Sequence, residues 1–226
     1  MAHPLIIAHR GAPGRLENTL EGFLAGIQAG ADWIELDVHQ TADSHLVVHH
    51  DFTLGGKALA ELTLREAKRL ARQVKQIELP ALEDVIEAVP ERIGLGVEIK
   101  APFIGAAVVK TLARQRATGR ALLSSFHFPT IRQLAEVRPR VPTGLLTIPR
   151  LFDPVKEIRR ARAQALCPEH SRCDRRLVRE VQQAGFQVFV WTVNREDDLR
   201  RMLELRVDGI ITDYPTRLRR LLQQTA

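Results

Sequence analysis

The feature that most constrains this chain is a rhythm in which a short apolar run is followed by an amphipathic stretch, repeated eight times. The runs are LIIAH (5–9), WIELDV (33–38), GLGVEI (94–99), ALLSSF (121–126), TGLL (143–146), ALCPE (165–169), QVFVWTV (187–193) and GIIT (209–212). Helical periodicity follows each run, as in TLEGFLAGIQAG (19–30), DPVKEIRRARAQ (153–164), RRLVREVQQAG (175–185) and REDDLRRMLELR (195–206). Gly30 and Gly185 stand where helix C-caps belong.

Eight strand–helix units in 226 residues fit an α/β fold of the (β/α)8 TIM-barrel type. A doubly wound open sheet is the competitor, and it usually carries fewer strands at this length. With no linker or low-complexity tract, residues 1–226 are expected to form a single domain. The rhythm breaks once. After WIELDV comes a second strand-like run, HLVVHH (45–50), and then a helix-like LTLREAKRLARQ (62–73). This predicts a small insertion between strand 2 and helix 2, with residues 51–80 near the barrel mouth, where long inserts tend to be functional.

Composition removes several classes. Apolar residues are 45% and charged residues 27%, as in ordinary globular chains, and no run of 18 apolar residues exists to cross a membrane. The N-terminus MAHPLIIAHRG has no charged n-region, which predicts no secretory signal and a cytoplasmic location. Residues 1–112 hold 11 Lys/Arg against 15 Asp/Glu, whereas residues 113–226 hold 22 against 12. A basic half can mark nucleic-acid binding, but these residues fall on helical polar faces such as KEIRRARAQ and RRLVREVQQ. Aromatics are only 5% of the chain, so stacking platforms for nucleic acid are not expected. Cys167 and Cys173 flank His170 in CPEHSRC, but the spacing matches no standard zinc pattern, and two free thiols are expected.

In a barrel of this type, chemistry gathers where strands end at the C-terminal rim. Strand 1 ends on His9 and Arg10; strand 2 offers Glu35 and Asp37, spaced i, i+2 and so on one face. Glu98 and Lys100 in VEIK repeat that spacing, the insertion adds His50 and Asp51, and Trp191 lies in WTVN. Inward-facing charges are costly unless paired or bound to a metal. Glu35, Asp37 and Glu98 form an all-oxygen set suited to one divalent cation, Mg²⁺ or Ca²⁺, and not to zinc. With Arg10 and Lys100 beside them and two histidines that titrate near neutrality, the set describes phosphodiester hydrolysis with His9 and His50 as acid–base pair.

The blocks AHRGAPGRLENTLEGFLAGIQAGADWIELDV, LVVHHDFTLGG, VEIK, SSF, WTVN and GIITDYP resemble, in order, the glycerophosphodiester phosphodiesterase family of phospholipase C-like barrels. The resemblance implies metal-dependent release of sn-glycerol 3-phosphate and an alcohol from a small-molecule glycerophosphodiester. It implies Glu35, Asp37 and Glu98 as metal ligands, His9 and His50 as catalytic pair, and Arg10 and Lys100 as phosphate-holding residues. Trp191 then matches an aromatic near the glycerol, and Glu17 and Asn18 match residues that shape the first loop. Asn18 and Asn194 are the only asparagines, and both lie in matching motifs. Three positions depart from the pattern: Leu16 replaces a proline, the stretch after Asp51 is short and predicts a small lid, and His127 follows SSF. His127 and His49 are expected to be bystanders. A lysophospholipase D acting at membranes is the alternative reading; it needs an apolar surface at the mouth, for which residues 51–80 offer no strongly hydrophobic cap. No stable membrane insertion is expected, and the sequence leaves the oligomeric state open.

Overall fold

The computed structural model describes residues 3–224. Among them, eight parallel strands close on themselves: β1 (Leu5–Ala8), β2 (Trp33–Gln40), β6 (Gly94–Ile99), β7 (Ala121–Ser125), β8 (Thr143–Thr147), β9 (Ala165–Pro168), β10 (Gln187–Val190) and β11 (Gly209–Thr212). The circuit is sealed where β1 pairs with both β2 and β11. Followed once around the barrel, the paired registers displace β1 by eight residues, the shear expected of a TIM barrel. Helices α1 (Leu20–Gln28), α4 (Gly105–Arg114), α5 (Phe128–Leu134), α6 (Pro154–Ala161), α7 (Arg175–Gln183), α8 (Glu196–Leu205) and α9 (Pro215–Gln224) run between the strands or, for α9, after the last. Their apolar faces meet the outward strand residues in one continuous core that includes Phe23, Ile34, Leu112, Ile158 and Leu199.

Period-two alternation sends the other strand residues into the barrel. Its floor is apolar: Leu5, Ile7, Trp33, Leu122, Leu146, Cys167, Phe189 and Ile211 pack together. Two glycines make room for the largest of these. A Cβ on Gly94 would lie 2.1 Å from the Trp33 ring, and one on Gly209 would lie 2.5 Å from Phe189. Two or more residues further along each strand, the inward positions become His9, Glu35, Asp37, Glu98, Lys100 and Asp213, so polarity rises from floor to mouth.

The insertion begins where β2 runs past its barrel partners and pairs antiparallel with β3 (Leu46–Val48). A two-stranded ribbon, β4 (Thr53–Leu54) with β5 (Lys57–Ala58), and α2 (Leu64–Val74) complete it around Val47, Leu54, Leu59, Leu62, Ala67, Ala71 and Leu79. The helix of residues 62–73 therefore belongs to the insertion. The helix that joins the barrel core at this position is the short α3 (Leu82–Ala88), through Leu82, Val85 and Ile86. Thr63 and Glu66 start α2 with a reciprocal capping box, which satisfies N–H groups that the helix itself cannot.

Candidate active site

The first loop sets the site. Arg10 (φ 51°) and Asn18 (φ 57°) both take left-handed backbone conformations, uncommon for side chains other than Asn or Asp. The turn at Arg10 aims its backbone N–H at Glu35 Oε2, 2.9 Å away, and brings its guanidinium to Glu17 at 2.9 Å and to Asp37 at 3.3 Å. Strain of this kind at a non-glycine residue costs about 1–3 kcal/mol and is held by its surroundings. Here those surroundings are three carboxylates. Asn18 clamps Asp37 twice: its Nδ2 donates to Asp37 Oδ2 at 2.8 Å, and its Oδ1 accepts from the Asp37 backbone N–H at 3.2 Å.

Glu35, Asp37 and Glu98 each offer a carboxylate oxygen within 4.8 Å of the other two. β2 and β6 are in register at Asp37 and Glu98, which makes those two cross-strand neighbours. Lys100 Nζ bridges them, 2.9 Å from Glu98 and 3.4 Å from Asp37. Even so, the cluster is short of positive charge. Burial, followed by the Asp37 charge, pushes the Glu35 carboxyl up to about 8, and the same two causes raise Glu98. Asp37 Oδ1 is the oxygen that Lys100 faces at 3.4 Å, and it is buried without a hydrogen bond. A buried oxygen so weakly satisfied, beside two carboxylates whose charge is resisted, fits a hard divalent cation, and the all-oxygen donor set is of that type.

The two histidines are held differently. His9 Nδ1 lies 2.7 Å from Asp213 Oδ1, and because a carboxylate only accepts, the proton sits on Nδ1 and leaves Nε2 free to take another. Burial lowers the His9 pKa, but the bond to Asp213 and the nearby Glu35 outweigh it and leave the ring above its ordinary value. Asn194 secures Asp213 as Asn18 secures Asp37: Nδ2 donates to Oδ2 at 2.6 Å, and Oδ1 accepts from the Asp213 backbone N–H at 3.0 Å. His50 is half-exposed, with Nδ1 2.9 Å from its neighbour Asp51. Beneath it His39 reaches the His50 carbonyl at 3.3 Å, which ties the end of β2 to the loop that carries His50.

The sequence-selected residues His9, Arg10, Glu35, Asp37, Glu98 and Lys100 thus share one polar network, with His50 on the insertion at its edge and Trp191 on the apolar side. The Trp191 indole donates to the Cys167 carbonyl at 2.7 Å and meets Phe126 edge-on at 5.3 Å. His127 instead sits at the start of α5, its ring 2.9 Å from Thr130 Oγ1. His49 is buried 3.4 Å from Lys75 Nζ, and burial with that charge lowers its pKa to about 4. Cys167 and Cys173 are unpaired, and burial raises both thiols to about 12. From the sequence, Asp213 stands just past the last strand with no role assigned to it, and His39 likewise has none. For Asp213 a signal existed, an acid just after the last strand, in the rim position that defines the other site residues.

A closed eight-stranded barrel with acids, histidines and cations at its C-terminal mouth defines a barrel hydrolase of phosphate esters as the class. The comparisons give the particular family. The model of the glycerophosphoryl diester phosphodiesterase family matches residues 9–217, and the chain belongs to that family. It is 34% identical to a glycerophosphodiester phosphodiesterase of Caldanaerobacter subterraneus, covering 97% of this chain and 98% of that protein. It is 32% identical to YhdW of Bacillus subtilis, a protein described as a putative glycerophosphodiester phosphodiesterase, over 93% of this chain and 94% of that one. The crystal structure of a putative glycerophosphoryl diester phosphodiesterase from Silicibacter pomeroyi superposes with a TM-score of 0.87 at 29% identity, covering 99% of this chain and 94% of that one. The protein is accordingly an enzyme, a phosphoric diester hydrolase acting on glycerophosphodiesters.

Proposed function

We propose that residues 1–226 act as one unit that hydrolyses a glycerophosphodiester to sn-glycerol 3-phosphate and an alcohol, with His9 as base and His50 as acid. The observation that carries this reading is the difference between the two histidines. His9 is only part-exposed, with 19% of its side chain accessible, and is oriented by Asp213 with a free Nε2, as a base needs. His50 is half-exposed on the insertion, where an alcohol can leave.

In this account Arg10 and Lys100 hold the phosphoryl oxygens, and each charge-assisted contact is worth about 1.5–3 kcal/mol. A divalent cation held by Glu35, Asp37 and Glu98 would supply Lewis-acid stabilisation of charge on the phosphoryl oxygens. His9 Nε2 accepts the proton of the attacking oxygen, which is either water or the glycerol 2-hydroxyl. As the new P–O bond forms, the bond to the alcohol breaks, and His50 returns a proton to the departing oxygen. With the 2-hydroxyl as nucleophile, a cyclic phosphate forms first and water opens it in a second passage. Trp191 and Phe126 offer an apolar wall for the glycerol carbons.

Leaving groups separate the two roles. His9→Ala and His50→Ala should each slow glycerol 3-phosphate release from glycerophosphoethanolamine by about 10²–10⁴-fold. A nitrophenyl diester of glycerol 3-phosphate needs no acid for its leaving group. It should restore His50→Ala to within about ten-fold of wild type and leave His9→Ala slow. Equal rescue of both variants, or of neither, contradicts the assignment.

A second reading, lysophospholipase D activity, is favoured by one observation. Among the described residues, the large exposed apolar side chains Phe103, Phe126, Ile148 and Phe152 follow β6, β7 and β8 at the barrel mouth, and Phe52 joins them from the insertion. The apolar surface expected of such an enzyme thus comes mainly from the loops after β6, β7 and β8, with Phe52 added from residues 51–80. Choline release from lysophosphatidylcholine, compared with glycerophosphocholine, decides between the two readings.

A further inference from the structure

His50 and the insertion also wall a cavity of about 290 Å³, lined by Arg10, Arg15, Glu17, His49, Asp51 and Lys75, among others. Its place follows from the chemistry. In-line displacement at phosphorus puts the attacking and departing oxygens on opposite sides. With His9 serving the attacking oxygen, the departing alcohol extends past His50, towards this cavity.

The charges of the cavity do not cancel. Arg10 is matched by Glu17 at 2.9 Å, and Lys75 by Asp51 at 3.4 Å. Arg15 has no hydrogen-bond or ion-pair partner among the described residues, although it is exposed beside these pairs. Lys75 is also only half-committed: its 3.4 Å contacts to Asp51 and His49 leave a donor for a third group. Neither cation is required by the cluster that holds the phosphate. A hard cation left unmatched beside the exit of the alcohol favours an alcohol with a negative charge of its own.

We propose that this cavity is the leaving-group subsite and that Arg15, assisted by Lys75, selects alcohols carrying an anionic group over neutral or cationic ones. The inference rests on the assignment of His50 as the acid. Glycerophosphoserine and glycerophosphoethanolamine differ by one carboxylate on the leaving alcohol, and glycerophosphocholine, like the ethanolamine diester, carries one positive charge and no carboxylate. The serine diester should exceed the ethanolamine diester in kcat/KM by about ten-fold, equivalent to ~1.4 kcal/mol. The choline diester should likewise fall below the serine diester. Because Arg15 is exposed, the preference should shrink between about 0.02 M and about 0.5 M salt.

Arg15→Gln should bring the serine-to-ethanolamine ratio close to one, and Arg15→Glu should invert it. Because Arg15 is exposed and makes no hydrogen bond or ion pair among the described residues, these variants are expected to keep the fold, and unchanged circular dichroism verifies that loss of the ratio is not a folding defect. A ratio near one in the wild type, a ratio that survives Arg15→Gln, or a preference for choline overturns the inference while leaving the hydrolytic reading in place. Absence of glycerol 3-phosphate from all three diesters overturns both.

Discussion

The only two asparagines of the chain do the same work at two places. Each donates from Nδ2 to an aspartate oxygen and accepts that aspartate's backbone N–H on Oδ1, Asn18 with Asp37 and Asn194 with Asp213. No other side chain of that length offers a donor and an acceptor together, which is why a chain so poor in asparagine keeps these two. Their motif positions were legible in the sequence. The pairing of Asp213 with His9 was not, because the two meet only after 204 residues of chain have closed the barrel. At this scale the pH dependence follows. The folded-state pKa of His9 is raised, so its pairing stabilises the fold below about 6.5 and fades as pH climbs through the folded value. A base works in the opposite sense, gaining activity as pH climbs through the same value. Asp213→Asn removes the raising contact and keeps the burial. The acid limb of kcat/KM should therefore move to lower pH while kcat falls by about 10²–10⁴-fold, as when a triad histidine loses its carboxylate. A limb that stays in place would show that Asp213 does not tune His9.

At the scale of elements, the first loop is held by the helix behind it. A Cβ on Gly26 of α1 would lie 2.4 Å from the Gly11 carbonyl oxygen and 2.9 Å from the Ala8 Cβ. Gly11 is in turn packed closely against α1, where a Cβ on it would lie 2.6 Å from the Gly22 carbonyl carbon and the Phe23 nitrogen. Gly26→Ala should therefore push the loop bearing Arg10 away from Glu35. We expect a loss of about 1–3 kcal/mol in urea denaturation, together with a fall in kcat, although no reacting group has changed. Wild-type stability and rate in this variant would mean that the contact is slack. The eight barrel strands and the longer helices were legible because their apolar periodicity extends over enough residues to be counted. α3 was not, since LEDVIEA is only seven residues long, and α2 with its stronger amphipathic pattern drew attention in its place. The ribbon of β4 and β5 has two residues a side, too few for any alternation to register.

For the molecule as a whole, closure of the barrel converts positions scattered from His9 to Asp213 into one mouth with two characters. Carboxylates, cations and histidines come from β1, β2, β6, β11 and the insertion, while exposed Phe103, Phe126, Ile148 and Phe152 follow β6, β7 and β8. The basic second half lies largely on outer helical faces, in local pairs such as Arg176 with Glu180 and Arg200 with Glu196. Among the described residues no helix is long and apolar enough to cross a membrane. The strand rhythm made the barrel legible and the rim rule made the carboxylates legible, but the apolar side of the mouth comes from single residues in short loops, which carry no pattern. The central claim is that the buried carboxylates bind one divalent cation that hydrolysis needs. The direct measurement is calorimetric titration of metal-stripped protein with Mg²⁺, Ca²⁺ or Mn²⁺, with glycerol 3-phosphate release followed in the same samples and in Asp37→Asn. The account predicts one ion bound per chain, activity that rises with its occupancy, and neither in Asp37→Asn. Undiminished hydrolysis by chelator-treated protein with no ion bound would contradict it.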